Sequence, residues 1–166
     1  MTTPRFTTIR HFAAPRARVW AAWTQPNQLV QWFGPKGSAG TILAFDLRPG
    51  GVWRGRMEAP DGGVMFSKFV FREVTPPARL VWIHGFADEA GNRARAPFAP
   101  QFPLELLTTV DFAEEGAGTL ITLSWEPLGA TAEEEAFFAS MMASMEGGWA
   151  GSFEQLDSFL QVRTSR

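Results

Sequence analysis

The sequence predicts an α+β fold in which a curved antiparallel sheet wraps around a long C-terminal helix. Three observations carry that prediction. Short segments rich in β-branched and aromatic residues recur along the chain, bounded by Gly and Pro turns. Six of them follow one another without an intervening helical pattern, so the sheet is mainly antiparallel. One long amphipathic segment then closes the chain, and the concave face of that sheet is the partner available to its apolar stripe. The 166 residues fit one domain, 1–166, able to bury roughly 70% of its unfolded surface without a staple.

Taken in order, Phe6 to Phe12 reads as a first strand. Pro15 suits the first position of a helix carrying Val19, Trp20 and Trp23. Thr24 and Pro26 signal the cap and start of a second short helix with Leu29, Val30, Trp32 and Phe33, ended by Gly34-Pro35. Strands are then predicted over Thr41–Leu47, Val52–Glu58, Val64–Val74, Leu80–Phe86, Leu104–Phe112 and Thr119–Trp125. Pro60-Asp61-Gly62-Gly63 is the strongest hairpin signal among them. Ala87 to Pro103, rich in Gly, Pro, Ala and Arg, reads as a long mobile loop. Thr131 and Glu134 form a capping box, and Phe138, Met141, Met142, Met145, Trp149, Phe153, Leu156 and Leu160 fall on one helical stripe. One helix is expected from about Ala132 to Gln161, with Gly147-Gly148 as the place for a bend.

Composition excludes several functions. There is no Cys, hence no disulfide, thiolate nucleophile or thiolate metal site, and only two His. No metal or cofactor is expected. A formal charge of -2 lacks the basic face that nucleic acid requires. Met1 to Arg10 holds no secretory pattern and no run approaches a membrane span, so a cytoplasmic protein is expected. Abundant Ala and 13 Arg against 2 Lys are usage common in GC-rich bacterial genomes. The aromatic set, 15 Phe and 7 Trp without Tyr, suggests a thick core or an apolar cavity.

The ordered motifs resemble one family. They are Ala14-Pro15 with Val19-Trp20, Ala22-Trp23-Thr24-Gln25-Pro26, Gln31-Trp32-Phe33-Gly34-Pro35 and Asp46-Leu47-Arg48-Pro49-Gly50-Gly51 with Trp53-Arg54. Pro60-Asp61-Gly62, Pro76-Pro77-Ala78-Arg79-Leu80-Val81, Gly118-Thr119 and Gly147-Gly148-Trp149 complete the set. Together, over roughly Phe6 to Leu160, they resemble the START/Bet v 1-like (SRPBCC) superfamily, and within it the activator of heat-shock-protein-90 ATPase homologue-like branch. The resemblance implies a helix-grip fold with an apolar cavity between sheet and long helix. It implies no single activity, because superfamily members bind lipids, sterols, polyketides and plant hormones, and some are cyclases or hydratases.

Polar motifs are few. The run Gly34 to Gly40 precedes a strand rather than a helix, so it reads as a connection and not a phosphate loop. Asp46 reads as a turn residue bonded to backbone or to Arg, and His11 as a strand-end residue. His84 sits among apolar neighbours in Leu80–Phe86, on the face of Leu80, Trp82 and Phe86, with both faces apolar enough that either could look inward. It is the candidate polar contact.

Alternation places Arg54, Arg56 and Glu58 outward, turning Trp53, Gly55 and Met57 inward. Met65, Ser67, Phe69 and Phe71 face inward likewise, as do Leu104, Leu106, Thr108 and Val110. Gly55 leaves room where a cavity needs it. The expected site is therefore an apolar cavity bounded by Trp53, Met65, Phe69, Met142 and Met145, with His84 as polar contact and no catalytic residue assigned. Its ligand class is an apolar small molecule, lipid-, sterol- or polyketide-like. A cyclase or hydratase using the same cavity and a chaperone-interaction module are the alternatives. Self-association as a homodimer is a further expectation.

Overall fold

Gly and Pro punctuation cuts the described residues into seven strands and four helices. In the computed structural model, which describes residues 3–34 and 37–164, the strands are β1 (Phe6–Phe12), β2 (Ala39–Phe45), β3 (Val52–Glu58), β4 (Val64–Thr75), β5 (Arg79–Ala87), β6 (Leu106–Glu115) and β7 (Gly118–Pro127). Every pairing is antiparallel and the spatial order is β1-β7-β6-β5-β4-β3-β2. The chain passes from one sheet edge to the other through α1 (Arg16–Thr24) and α2 (Pro26–Leu29). Register shifts at Ile42/Ala44 and Phe71/Glu73 bend the strands and raise their twist, which curves the sheet without closing it.

Both early helices start one residue away from the expected cap positions. Pro15 is the N-cap of α1 and Gln25 that of α2, with Pro26 at the first helical turn. Thr24 is the last residue of α1, where its hydroxyl donates back to the Trp20 carbonyl at 2.8 Å rather than capping α2. Pro35 and Lys36, which belong to the predicted helix stop and Gly-rich connection, lie outside the described residues.

The C-terminal segment is two helices, α3 (Ala132–Ser140) and α4 (Met142–Thr164). The capping box forms as expected, with Glu134 N donating to Thr131 Oγ1 and Thr131 N to Glu134 Oε1. The break falls at Met141, not at Gly147-Gly148. Ser140 Oγ donates to the Phe137 carbonyl at 2.6 Å, the acceptor that a continuous α-helix would offer to Met141 N–H. Met141 N–H bonds Phe138 instead, a tighter three-residue step. Gly147 and Gly148 lie inside α4, with nothing within 4 Å of where a Cβ would be.

Aromatic rings fill the space between sheet and helices. Trp23 meets Trp32 at 4.7 Å between ring centroids and lies parallel to Trp149 at 6.2 Å. Phe12 packs edge-on against Phe153 at 5.3 Å. Trp149, Phe153, Leu156 and Leu160 are all buried on one stripe of α4, and each buried aromatic of this size removes some 150–250 Å² from water. Among the described residues no helix is long and apolar enough to cross a membrane.

Candidate functional site

Cross-strand register builds one wall of a cavity. Trp53 of β3 pairs with Phe69 of β4, and Phe69 pairs with His84 of β5. Their rings stack in a row, Trp53 on Phe69 at 3.8 Å and Phe69 on His84 at 5.1 Å. Trp125 of β7 continues the row beyond His84 at 5.3 Å. Period 2 thus turns Leu80, Trp82 and His84 inward together, the point that the apolar character of both faces left open.

The cavity measures about 400 Å³, within the range of small-molecule pockets. Met65, Ser67, Phe69 and His84 line it from the sheet, with Leu106 and Trp125 beside them. Met141, Ser144, Met145, Gly148 and Trp149 line it from α4 and its start. Phe98, Phe102 and Pro103 close a third side. No Asp, Glu, Lys or Arg lines it among the described residues, and no group of His, Asp or Glu is placed to hold a metal ion.

Four of the six residues expected at the site, Met65, Phe69, His84 and Met145, meet here. Trp53 and Met142 do not. The Phe33 ring sits 5.1 Å from that of Trp53 and 6.1 Å from that of Phe69. Phe33 thus screens Trp53 from the cavity and leaves it lining a separate hollow of about 40 Å³. Met142 packs against the core instead, and Met141, Ser144, Met145 and Gly148 line the cavity from α4 and its start. Sequence reasoning missed Trp125, Ser144 and Gly148. A glycine in a helix interior costs about 1 kcal/mol relative to alanine, and that cost was the available signal for Gly148.

The segment between β5 and β6 is more tightly held than its composition suggested. Ala87 bridges Arg93, and Asp88 accepts from Asn92 N at 2.9 Å. Arg93 donates to the Lys68 carbonyl at 2.9 Å and pairs with Glu105 at 3.1 Å. Arg95 pairs with Glu134 of the capping box, and Ala96, Ala99 and Pro103 are buried. A Cβ on Gly85 would collide with the Leu104 carbonyl and press on Arg93, so glycine there lets both cross the strand. β6 consequently starts at Leu106, and Leu104, expected inward, is exposed.

His84 is held in its neutral form. Burial between aromatic rings, with a smaller contribution from the nearby Arg93 charge, lowers its pKa from 6.5 to about 3. Its Nδ1 lies 3.1 Å from the hydroxyl of the fully buried Thr108. Asp46 and His11 are elsewhere. Asp46 accepts from Arg48 at 2.8 Å beside the turn, and His11 lies on β1 with Nε2 3.8 Å from Glu115.

Comparison with known proteins matches this fold. Residues 13–161 match the family described as Activator of Hsp90 ATPase homolog 1-like protein. The chain belongs to that family. Its seven-stranded sheet and C-terminal helices are those of the SRPBCC superfamily, a fold that commonly binds hydrophobic ligands. Among solved structures, protein Ms6760 from Mycobacterium smegmatis is 30% identical, with a TM-score of 0.78 over 95% of this chain and 91% of that one. A protein from Arthrobacter aurescens is 29% identical, with a TM-score of 0.79 over 95% of this chain and 86% of that one. The AHSA1 protein from Silicibacter pomeroyi shares the fold at 21% identity and a TM-score of 0.73, over 96% of this chain and 99% of that one. No curated protein matches the chain.

Proposed function

We propose that this member of the Activator of Hsp90 ATPase homolog 1-like family binds an apolar small molecule, lipid-, sterol- or polyketide-like, between the sheet and α4. The observation that carries the reading is a cavity of about 400 Å³ walled by aromatic, Met and Leu side chains without a charged group among the described residues. Such a space favours apolar occupants, since each CH₂ moved out of water contributes about 0.8 kcal/mol. Met65, Met141 and Met145 adapt to irregular shapes. An enzymatic reading is less well supported. A general base works best with a pKa near the working pH, and His84, at about 3, is far below it. A cytoplasmic location is part of the proposal, on the sequence grounds given above.

The test is titration with N-phenyl-1-naphthylamine, a neutral probe that fluoresces in apolar surroundings. The folded protein should bind it, and Met145→Trp should weaken binding by about tenfold or more by filling the space. Met142→Trp should leave it unchanged, since Met142 is not at the wall. Probe binding that appears only on partial unfolding would refute the proposal.

A further inference from the structure

What His84 offers to the cavity depends on the hydrogen-bond partner of its other ring nitrogen. Thr108 is fully buried, and among the described residues the partner of its hydroxyl is His84 Nδ1 at 3.1 Å. Buried hydroxyls find an acceptor for their proton, and here the acceptor is Nδ1. A neutral imidazole carries one hydrogen. With Nδ1 accepting from Thr108, that hydrogen resides on Nε2. Nε2 has no hydrogen-bond partner among the described residues and is not among the sealed, unpaired nitrogens. His84 therefore offers an N–H to the cavity that it lines.

The rings of Trp125 and Trp149 also line the cavity, but their indole nitrogens are sealed from it, which leaves His84 Nε2, among the described residues, as the ring nitrogen that reaches the space. The remaining polar side chains at the wall, Ser67, Ser144 and Ser152, are hydroxyls, and Ser152 is already donating to the Gly34 carbonyl at 2.8 Å. Arg93, whose charge acts on His84, is engaged by Glu105 and the Lys68 carbonyl and does not line the cavity. An anion inside would thus lack a counter-charge, and a cation would lack both a counter-charge and a side chain dedicated to accepting.

We propose that the cavity selects neutral apolar molecules bearing a carbonyl-type oxygen, such as a ketone, ester or lactone, which accepts from His84 Nε2–H. The inference rests on the apolar-cavity reading and adds the class of polar atom. It predicts discrimination against the bare hydrocarbon, the carboxylate and the amine of one frame.

The experiment uses the full chain at pH 7.5 with naphthalene, 2-acetylnaphthalene, 2-naphthoate and 2-naphthylmethylamine, followed by calorimetry. The ketone should bind about five- to tenfold more tightly than naphthalene, the worth of one hydrogen bond, and both ions should bind more weakly than naphthalene. His84→Phe should bring the ketone to within about twofold of the hydrocarbon, a comparison internal to that variant. ¹⁵N NMR of the unliganded wild-type protein should show the His84 hydrogen on Nε2 and none on Nδ1, a readout independent of how the variant folds. A hydrogen on Nδ1, a ketone no tighter than naphthalene, or a carboxylate tighter than the ketone overturns the inference alone. Failure of all four compounds to bind overturns the cavity reading beneath it.

Discussion

Lowering the pH below 6.5 should cost this protein stability through His84 in particular. Above pH 6.5 the ring is neutral in both folded and unfolded chains and adds no pH dependence. Between 6.5 and about 3 the unfolded chain takes up a proton that the folded chain refuses, so stability falls as pH falls, by about 1.4 kcal/mol per pH unit. Below about 3 both states carry the proton and the loss is complete, at about 5 kcal/mol. At pH 4.5 the loss should be on the order of 3 kcal/mol, a large share of the 5–15 kcal/mol typical of a domain. Urea unfolding of wild type and His84→Phe at pH 7.5 and 4.5 isolates it. Asp88, held below the usual carboxylate range by Asn92 N–H, and Glu134, held there by Thr131 N–H and Arg95, lose stability with acid in both proteins and cancel in the comparison. Wild type should lose on the order of 3 kcal/mol more than the variant between the two pH values. Equal losses, or an NMR titration of the His84 ring centred near 6.5, would refute the burial argument.

Other perturbations test the architecture. Trp149→Ala should cost ~3–5 kcal/mol in urea unfolding, as for a large buried aromatic, and a loss under about 1 kcal/mol would place the ring outside the core. Gly147→Ala and Gly148→Ala should each stabilise α4 by up to about 1 kcal/mol, because both positions have open space for a methyl group. Of the pair, Gly148→Ala alone should also weaken probe binding. Arg93→Met should speed hydrogen exchange of the Asp88 and Ala94 amides, which bond Asn92 and Phe86 carbonyls in the segment that Arg93 ties down, while leaving β3 amides unchanged.

Much of this molecule is legible before folding. The seven strands follow from turn chemistry and alternation, and the start of α3 from its capping box. The inward set on β4 follows from Lys68 and Arg72 marking the opposite face, whereas β5, apolar on both faces, carries no such mark. What sequence could not supply are choices made between competing partners. The break at Met141 depends on Ser140 taking the Phe137 carbonyl, an option open to any helical serine. Trp53 lies on the expected face, yet Phe33, twenty positions earlier, covers it. The Thr108 hydroxyl that meets His84 Nδ1 comes from the neighbouring strand, which no local pattern around His84 reveals.

The rings of the core have an optical consequence. With no Tyr and 7 Trp, the intrinsic ultraviolet emission of the protein is indole emission. Trp32, Trp23, Trp149 and Trp125 form a chain with successive centroids 4.7, 6.2 and 5.8 Å apart, and Trp82 and Trp53 branch from Trp23 at 6.1 and then 5.6 Å. Excitation absorbed by any of these indoles hops freely among the rest before it is emitted. Because Trp125 and Trp149 belong to the cavity wall, a guest that quenches either one drains light from the whole relay. The molecule therefore carries its own lamp for reading occupancy, without a label and without any substitution.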